Sequence, residues 1–376
     1  MKSIALLISL VCNLPDIYVT LPPFNAIPDG SADCTAALQA AADAARIRQI
    51  TDETDYVLAQ TVPTIHLDSG IYTLSGPITF QSMACIKGNN AVIVQTQDTD
   101  SFSFPNGTHV DITGCTFVNG TRAVFIANEN INTCMFNIKQ CTFSNIKETA
   151  LVLKSTATAT LSIGVLSATL NIDKCSFRNC YRALDECCDF ANITGCQVLH
   201  TSSTRTAPLS ENGYHCVFAV RRGRCHIKDS IMRSIPQRAT VPASQCWVYT
   251  TGSLILSDTQ FSDNGDARQT VVFGPTGVDP ANNNGESIRL FGCNLADTLT
   301  SANMSAASIA LYGMPSHIQV TNCSLKVVSP LISDPQGMGA NAAAAMKIAP
   351  KLQFSANTDF PNTIRIPTSL SKYVIK

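Results

Sequence analysis

Asp185 and Glu186 stand side by side in a chain sparing with charge: 14% of its 376 residues are Asp, Glu, Lys or Arg. Hydrolysis of a glycosidic bond needs two carboxylates, one giving a proton and one activating the attack, while a lyase needs a base and a cationic clamp. Arg182, Asp189 and Glu148 fall near the pair, which either faces a cleft with Arg182 binding substrate, or is a solvated bulge or a plain ion pair with Arg182. Asp229 and Asp258 occupy equivalent repeat positions, about 5 Å apart once stacked, which is either the spacing of a retaining pair or the use of Asp in a turn. The run Tyr214–Lys228 carries His215, Arg221, Arg222, Arg224, His226 and Lys228, a basic face suited to anionic sugars. Trp247, with Tyr249 two residues on and therefore on the same strand face, would stack on a sugar or pack the core. The expected site is thus Asp185 and Glu186 as acid and base, with Arg182, Arg221, Arg222, Trp247 and Tyr249 binding substrate. Cys187–Cys188 and Cys225–His226 lack metal-ligand spacing, and neither a Ser–His–Asp motif nor a phosphate-cradling glycine loop occurs, so no metal or cofactor is expected.

These residues are positioned by a repeat. One phrase recurs as ITGCTF from Ile112, IKQCTF from Ile138 and IDKCSF from Ile172. Weaker copies begin at Ile193, Ile227, Leu256, Leu290 and Val320. The mean step is about 30 residues, the period of a solenoid or another repeat array. A second apolar run follows most copies, as in AVFI from Ala123, ALVL from Ala150 and VVF from Val271. Short β-branched and aromatic runs between Asn, Gly, Ser and Asp are strand and turn chemistry. Asp185 and Glu186 stand where neighbouring units have Phe125–Ile126 and Val152–Leu153, and a buried carboxylate is costly.

Within the phrase, Ile112 and Phe117 are five apart, so strict alternation would put them on opposite faces. A corner at the third position restores the parity. That position holds Gly114, Gln140, Lys174, Gly195, Asp229, Asp258, Gly292 and Asn322, mostly residues that tolerate left-handed backbone. One unit cannot bury its inner face alone, so the units stack. The expectation is an all-β, single-stranded parallel β-helix of about ten coils.

The chain is 45% hydrophobic with a formal net charge of −1, which argues against a nucleic-acid partner. Sixteen cysteines mostly occupy core positions of the repeat. Side by side on parallel strands their Cβ atoms sit wider than a disulfide prefers, so buried thiols are expected over a disulfide ladder. No run of eighteen apolar residues occurs, so no membrane span is expected. Residues 1–25 read as a leader or a first strand: Lys2 and the stretch Ile4 to Cys12 have secretion-signal character without a small-residue cleavage site.

Residues 26–80 read as an N-terminal cap and first coil. Residues 33–47 are Ala-rich and predict a short capping α-helix with Leu38, Ala41, Ala42 and Ala45 on one face, entered from Ser31 or Asp33. Residues 48–62 read as a loop, followed by strand, turn at Asp68–Gly70, strand. Residues 81–330 hold the repeats, and 331–376 read as a closing segment with strands in LQFSANTDF and TIRIPTSL.

The run NAIPDGSADCTAALQAAADAA followed by IHLDSGIYTLSGPI resembles the opening of pectate-lyase-like right-handed β-helix proteins, the group that includes phage tail-spikes and polysaccharide depolymerases. Asp29, Gly30, Asp33, Thr35, Gln39, Gly70 and Tyr72 carry the match, while Asp68 and Cys34 depart from it. The resemblance implies right-handedness, a polysaccharide partner and a homotrimer at a virion or cell surface. It leaves open whether the protein only binds a host glycan, cleaves it as a secreted lyase or hydrolase, or is a structural virion component, since one scaffold hosts many functions.

Overall fold

Each phrase copy folds as strand, corner, strand. The computed structural model describes residues 16–45, 48–51, 57–81, 83–128, 134–155, 166–200, 215–221, 223–234, 245–263, 269–274, 286–297, 308–325, 331–335, 351–355, 357 and 366–375. All eight predicted corner residues have left-handed backbone, with φ 71° at Gly114, 52° at Gln140 and Lys174, 63° at Gly195, 50° at Asp229, 49° at Asp258, 61° at Gly292 and 53° at Asn322. Gln140 and Lys174 adopt it despite their side chains, because register with the coils on either side fixes the bend. A second left-handed corner follows two residues after the phrase Phe, at Asn119, Asn145 and Asn179.

Stacking is parallel and in register. Ile112 pairs with Ile138, Ile172, Ile193, Ile227, Leu256, Leu290 and Val320 in succession. Phe117, Phe143 and Phe177 form another such column, their rings stacked at 5.4 and 5.0 Å. Among the described residues the phrase strands form a first sheet of twenty-one strands, and the second apolar runs form a second sheet of ten, from Ile78–Thr79 to Ile332–Ser333. Their inner faces meet in one core cluster. The result is a right-handed, single-stranded parallel β-helix.

The cysteine column lies in this core. Cys115, Cys141, Cys175, Cys196, Cys293 and Cys323 are each 1% exposed, and none of these six is in a disulfide. Each thiol points at a carbonyl two residues back, as in Cys141 Sγ to Lys139 O at 3.3 Å. Ser230 and Thr259 replace cysteine in the column and donate in the same way, at 2.8 and 2.9 Å.

The capping helix spans Thr35–Ala44, shorter than predicted, and buries Leu38, Ala41 and Ala42, with Ala45 buried just beyond it. Cys34 stands at the N-cap, and Asp33 accepts a hydrogen bond from Thr35 N at 3.0 Å. Gln39 closes the open edge of the second sheet: its amide donates to Thr79 O and accepts from Thr79 N, both at 2.9 Å. A side-chain amide thereby replaces the missing strand partner. The expected loop at 48–62 is instead an antiparallel pair, Arg48–Thr51 with Val57–Thr61. At the other end, Lys351–Ser355 extends the stack beside His317–Thr321, but Thr368–Ser371 is a helical turn rather than a strand. The leader stretch before Asp16 lies outside the described residues, and no described helix is long and apolar enough to cross a membrane.

Candidate functional site

The register places Asp185 opposite Val152 and Ala219, as the repeat predicted. The two carboxylates part company there. Asp185 points to the outer side of the second sheet, where its neighbour Ala219 belongs to a small outer cluster with Tyr249 and Val272. Its Oδ2 accepts from Arg182 Nη1 at 3.0 Å and Arg221 Nη2 at 3.2 Å. Arg182 and Asp185 are buried and Arg221 is half-buried, so the three side chains form an ion cluster with one guanidinium at its edge. Glu186 is the next residue and points inward, in register with core residue Val220. Its Oε2 accepts from Cys188 N at 2.6 Å, and burial pushes its carboxyl up to about 8. The expected acid–base pair therefore does not converge on one surface. Alternation along the strand sends one carboxylate out and the other into the core.

Trp247 and Tyr249 correct the sequence reading in the same way. Trp247 is fully buried in the main core, 6.2 Å from the Phe261 ring, whereas Tyr249 lies in the outer cluster and is 2% exposed. They do not share a face, because Trp247 and Val248 both point inward where the chain enters the sheet. Neither ring is presented to solvent. Arg222 lies outside the described residues. Glu148 is exposed and meets Arg182 through its backbone, Arg182 N donating to Glu148 O at 2.8 Å. Asp229 and Asp258 are exposed corner residues. Among the described residues no group of three His, Cys, Asp or Glu side chains is arranged to hold a metal.

The basic run divides at Gly223. A Cβ there would fall 2.0 Å from Cys188 O, so only glycine lets the chain turn between the two sheets at this point. Arg221 stays with the Asp185 ion cluster. Arg224, His226 and Lys228 alternate with buried Cys225 and Ile227 and so face outward from the first sheet.

That outer face has its own columns. Asp111, Asn137, Asn171 and Asn192 stack in register. Asn171 Nδ2 donates to Asn137 Oδ1 at 3.0 Å, and Asn192 Nδ2 to Asn171 Oδ1 at 3.1 Å. Beside this amide ladder Phe190 is 49% exposed and Met135 46%. The Arg224 guanidinium lies 5.9 Å from the centre of the Phe190 ring. A groove on the same face is lined by Met83, Cys85, His109, Asp111, Met135 and Asn137 among others. The sequence reading missed this surface. Stacking the phrase copies and reading their alternate residues would have found it.

Fold and surface together define a right-handed parallel β-helix protein with a polar and aromatic outer face along one sheet. No protein-family model and no curated protein matches the chain. Among solved structures it is similar to the open-reading-frame 18 protein of Geobacillus virus E2, at 12% identity and TM-score 0.48, over 97% of this chain and 64% of that one. The chain thus spans just under two thirds of that viral protein's length. It is also similar to PfbA, a surface adhesin of Streptococcus pneumoniae, at 10% identity and TM-score 0.44, over 91% of each chain. A third is a tailspike protein of E. coli bacteriophage HK620 solved with a pentasaccharide, at 11% identity and TM-score 0.38, over 93% of this chain and 67% of that one. The fold assignment rests on the parallel registers and not on these likenesses.

Proposed function

We propose that this protein binds a polysaccharide along the outer face of its first sheet, at the surface of a virion or a cell. The observation that carries this reading is the Asn137–Asn171–Asn192 ladder beside exposed Phe190 and its Arg224 partner. Half-exposed Asn137 and Asn171 and exposed Asn192 offer donors and acceptors to sugar hydroxyls, and an exposed ring offers an apolar face to a pyranose. The coil spacing of about 4.8 Å repeats these groups along the axis, which suits a linear polymer.

Cleavage by Asp185 and Glu186 is the weaker reading. Asp185 is already engaged by two guanidiniums, and Glu186 would have to leave the core to meet a substrate. Both readings are tested on a glycan array followed by an assay for new reducing or unsaturated ends. Binding without cleavage is the expected result. Phe190→Ala should weaken retention by at least about tenfold, the scale of losing one stacked ring with its cation, without lowering the melting temperature. Retention unaffected by Phe190→Ala would move the site elsewhere. Release of sugar that Asp185→Asn abolishes would restore the enzyme reading. An array with no bound glycan would leave a structural component of the virion or surface, or a secreted protein of another kind.

A further inference from the structure

The lower half of the same outer face differs in charge from the upper half. Five successive strands, from Arg224–Lys228 to Lys351–Ser355, present three outward positions each. The fifteen positions hold Arg224, His226, Lys228, Arg289, His317 and Lys351 and no carboxylate. Arg224, Lys228, Arg289 and Lys351 are exposed. In a chain of formal net charge −1 with His counted neutral, four Lys and Arg on one face, with two histidines beside them, are a local excess. Among the described residues the bordering carboxylates include the corner residues Asp229 and Asp258, with Lys228 Nζ 3.6 Å from Asp229 Oδ2, Glu286 one residue before its strand, and Asp189 one residue before Phe190, the register partner of Arg224. Burial first, and then Lys228 against an opposing Asp229, holds His226 below its ordinary range, and burial first, then Arg289 and Lys351, does the same to His317.

Between the cations the face carries hydrogen-bonding groups: Ser253, Gln319, Thr321, Gln353 and Ser355. The cations recur across coils at multiples of about 4.8 Å and along a strand at about 6.7 Å. A compact ligand would meet one or two of them, and a charged polymer lying along the axis would meet them in turn.

We propose that this lower face binds a linear polysaccharide bearing carboxylate or sulfate groups. The proposal rests on the glycan-binding reading above and specifies its ligand as anionic. A single-stranded nucleic acid would favour successive exposed aromatics for its bases, and this face offers only half-buried Phe291.

The test uses one backbone in three forms, dextran, carboxymethyl dextran and dextran sulfate, together with a single-stranded oligonucleotide, each immobilised and probed with the full chain. Both acidic dextrans should bind and plain dextran should not. Binding should weaken at least about tenfold between 50 and 300 mM salt, because neutralising several charges releases counterions. Arg289→Ala with Lys351→Ala should weaken it about tenfold again, and Lys147→Ala, a lysine outside this face, should leave it unchanged. These positions are exposed, and an unchanged melting temperature confirms that the variant is folded. Retention of neutral glycans alone on the array would keep the function proposed above and overturn this one. Failure of both acidic dextrans to bind, or binding that the double variant leaves intact, also overturns it. Tighter binding of the oligonucleotide than of either acidic dextran would identify a nucleic-acid face instead.

Discussion

Replacing Glu186 by Gln isolates the cost of a carboxyl in the solenoid core. Burial moves this group from its ordinary 4.5 to about 8. That displacement corresponds to up to about 5 kcal/mol between the charged and neutral forms. The sign follows from the direction. The folded chain holds the proton to higher pH than the unfolded chain does. Stability is therefore full below about 4.5, falls by about 1.4 kcal/mol per pH unit as the pH rises, and levels off above about 8. Gln keeps the shape and can still accept from Cys188 N, but it cannot ionise. Chemical unfolding of wild type and Glu186→Gln at pH 5, 6, 7 and 8 gives the difference directly, and other titrating groups cancel. The two should agree within about 1 kcal/mol at pH 5 and separate progressively, with the variant ahead by about 2–5 kcal/mol at pH 8. Parallel profiles would mean that Glu186 ionises freely in the native state and does not sit in a dry core.

Three further changes probe the scaffold. Gln140→Gly should raise stability by about 0.5–1 kcal/mol, because glycine relieves the left-handed strain at φ 52° and gives back part of the gain as chain entropy; a loss on thermal unfolding would contradict this. Cys141→Ser should cost only about 1 kcal/mol, since a hydroxyl in this column can donate two residues back as Ser230 does; a loss above about 3 kcal/mol would show that packing of the thiol dominates. Leu38→Asp should open the N-terminal end of the core and promote aggregation through strand edges, read by light scattering; a monodisperse variant with unchanged melting would show that Thr35–Ala44 does not cap the stack.

The scaffold was legible because its constraints repeat. A corner needs a left-handed residue once per coil, and eight coils reported it, so Gln140 and Lys174 could be placed by their neighbours despite unsuitable side chains. The strands Arg48–Thr51 and Val57–Thr61 and the turn at Thr368–Ser371 stand outside the repeat and were misread for that reason.

The site was less legible because function on a solenoid lies on the outward residues, which the core pattern does not constrain. Asp185 and Glu186 drew attention by breaking an apolar column, and that break is real. It marks a polar defect in the wall, where Arg182 and Arg221 neutralise one carboxylate and a retained proton the other. A break in the inward pattern is thus evidence about stability first. Evidence about ligands has to come from columns that the core does not dictate. There Asn137, Asn171 and Asn192 repeat one side chain that no core contact dictates, and four Lys and Arg gather with two histidines and no carboxylate among the fifteen outward positions. Reading such columns requires the register, and the register follows from the phrase. The outward face could therefore be written down from sequence by taking alternate residues of each copy, Arg224, His226 and Lys228 from one and His317, Gln319 and Thr321 from another.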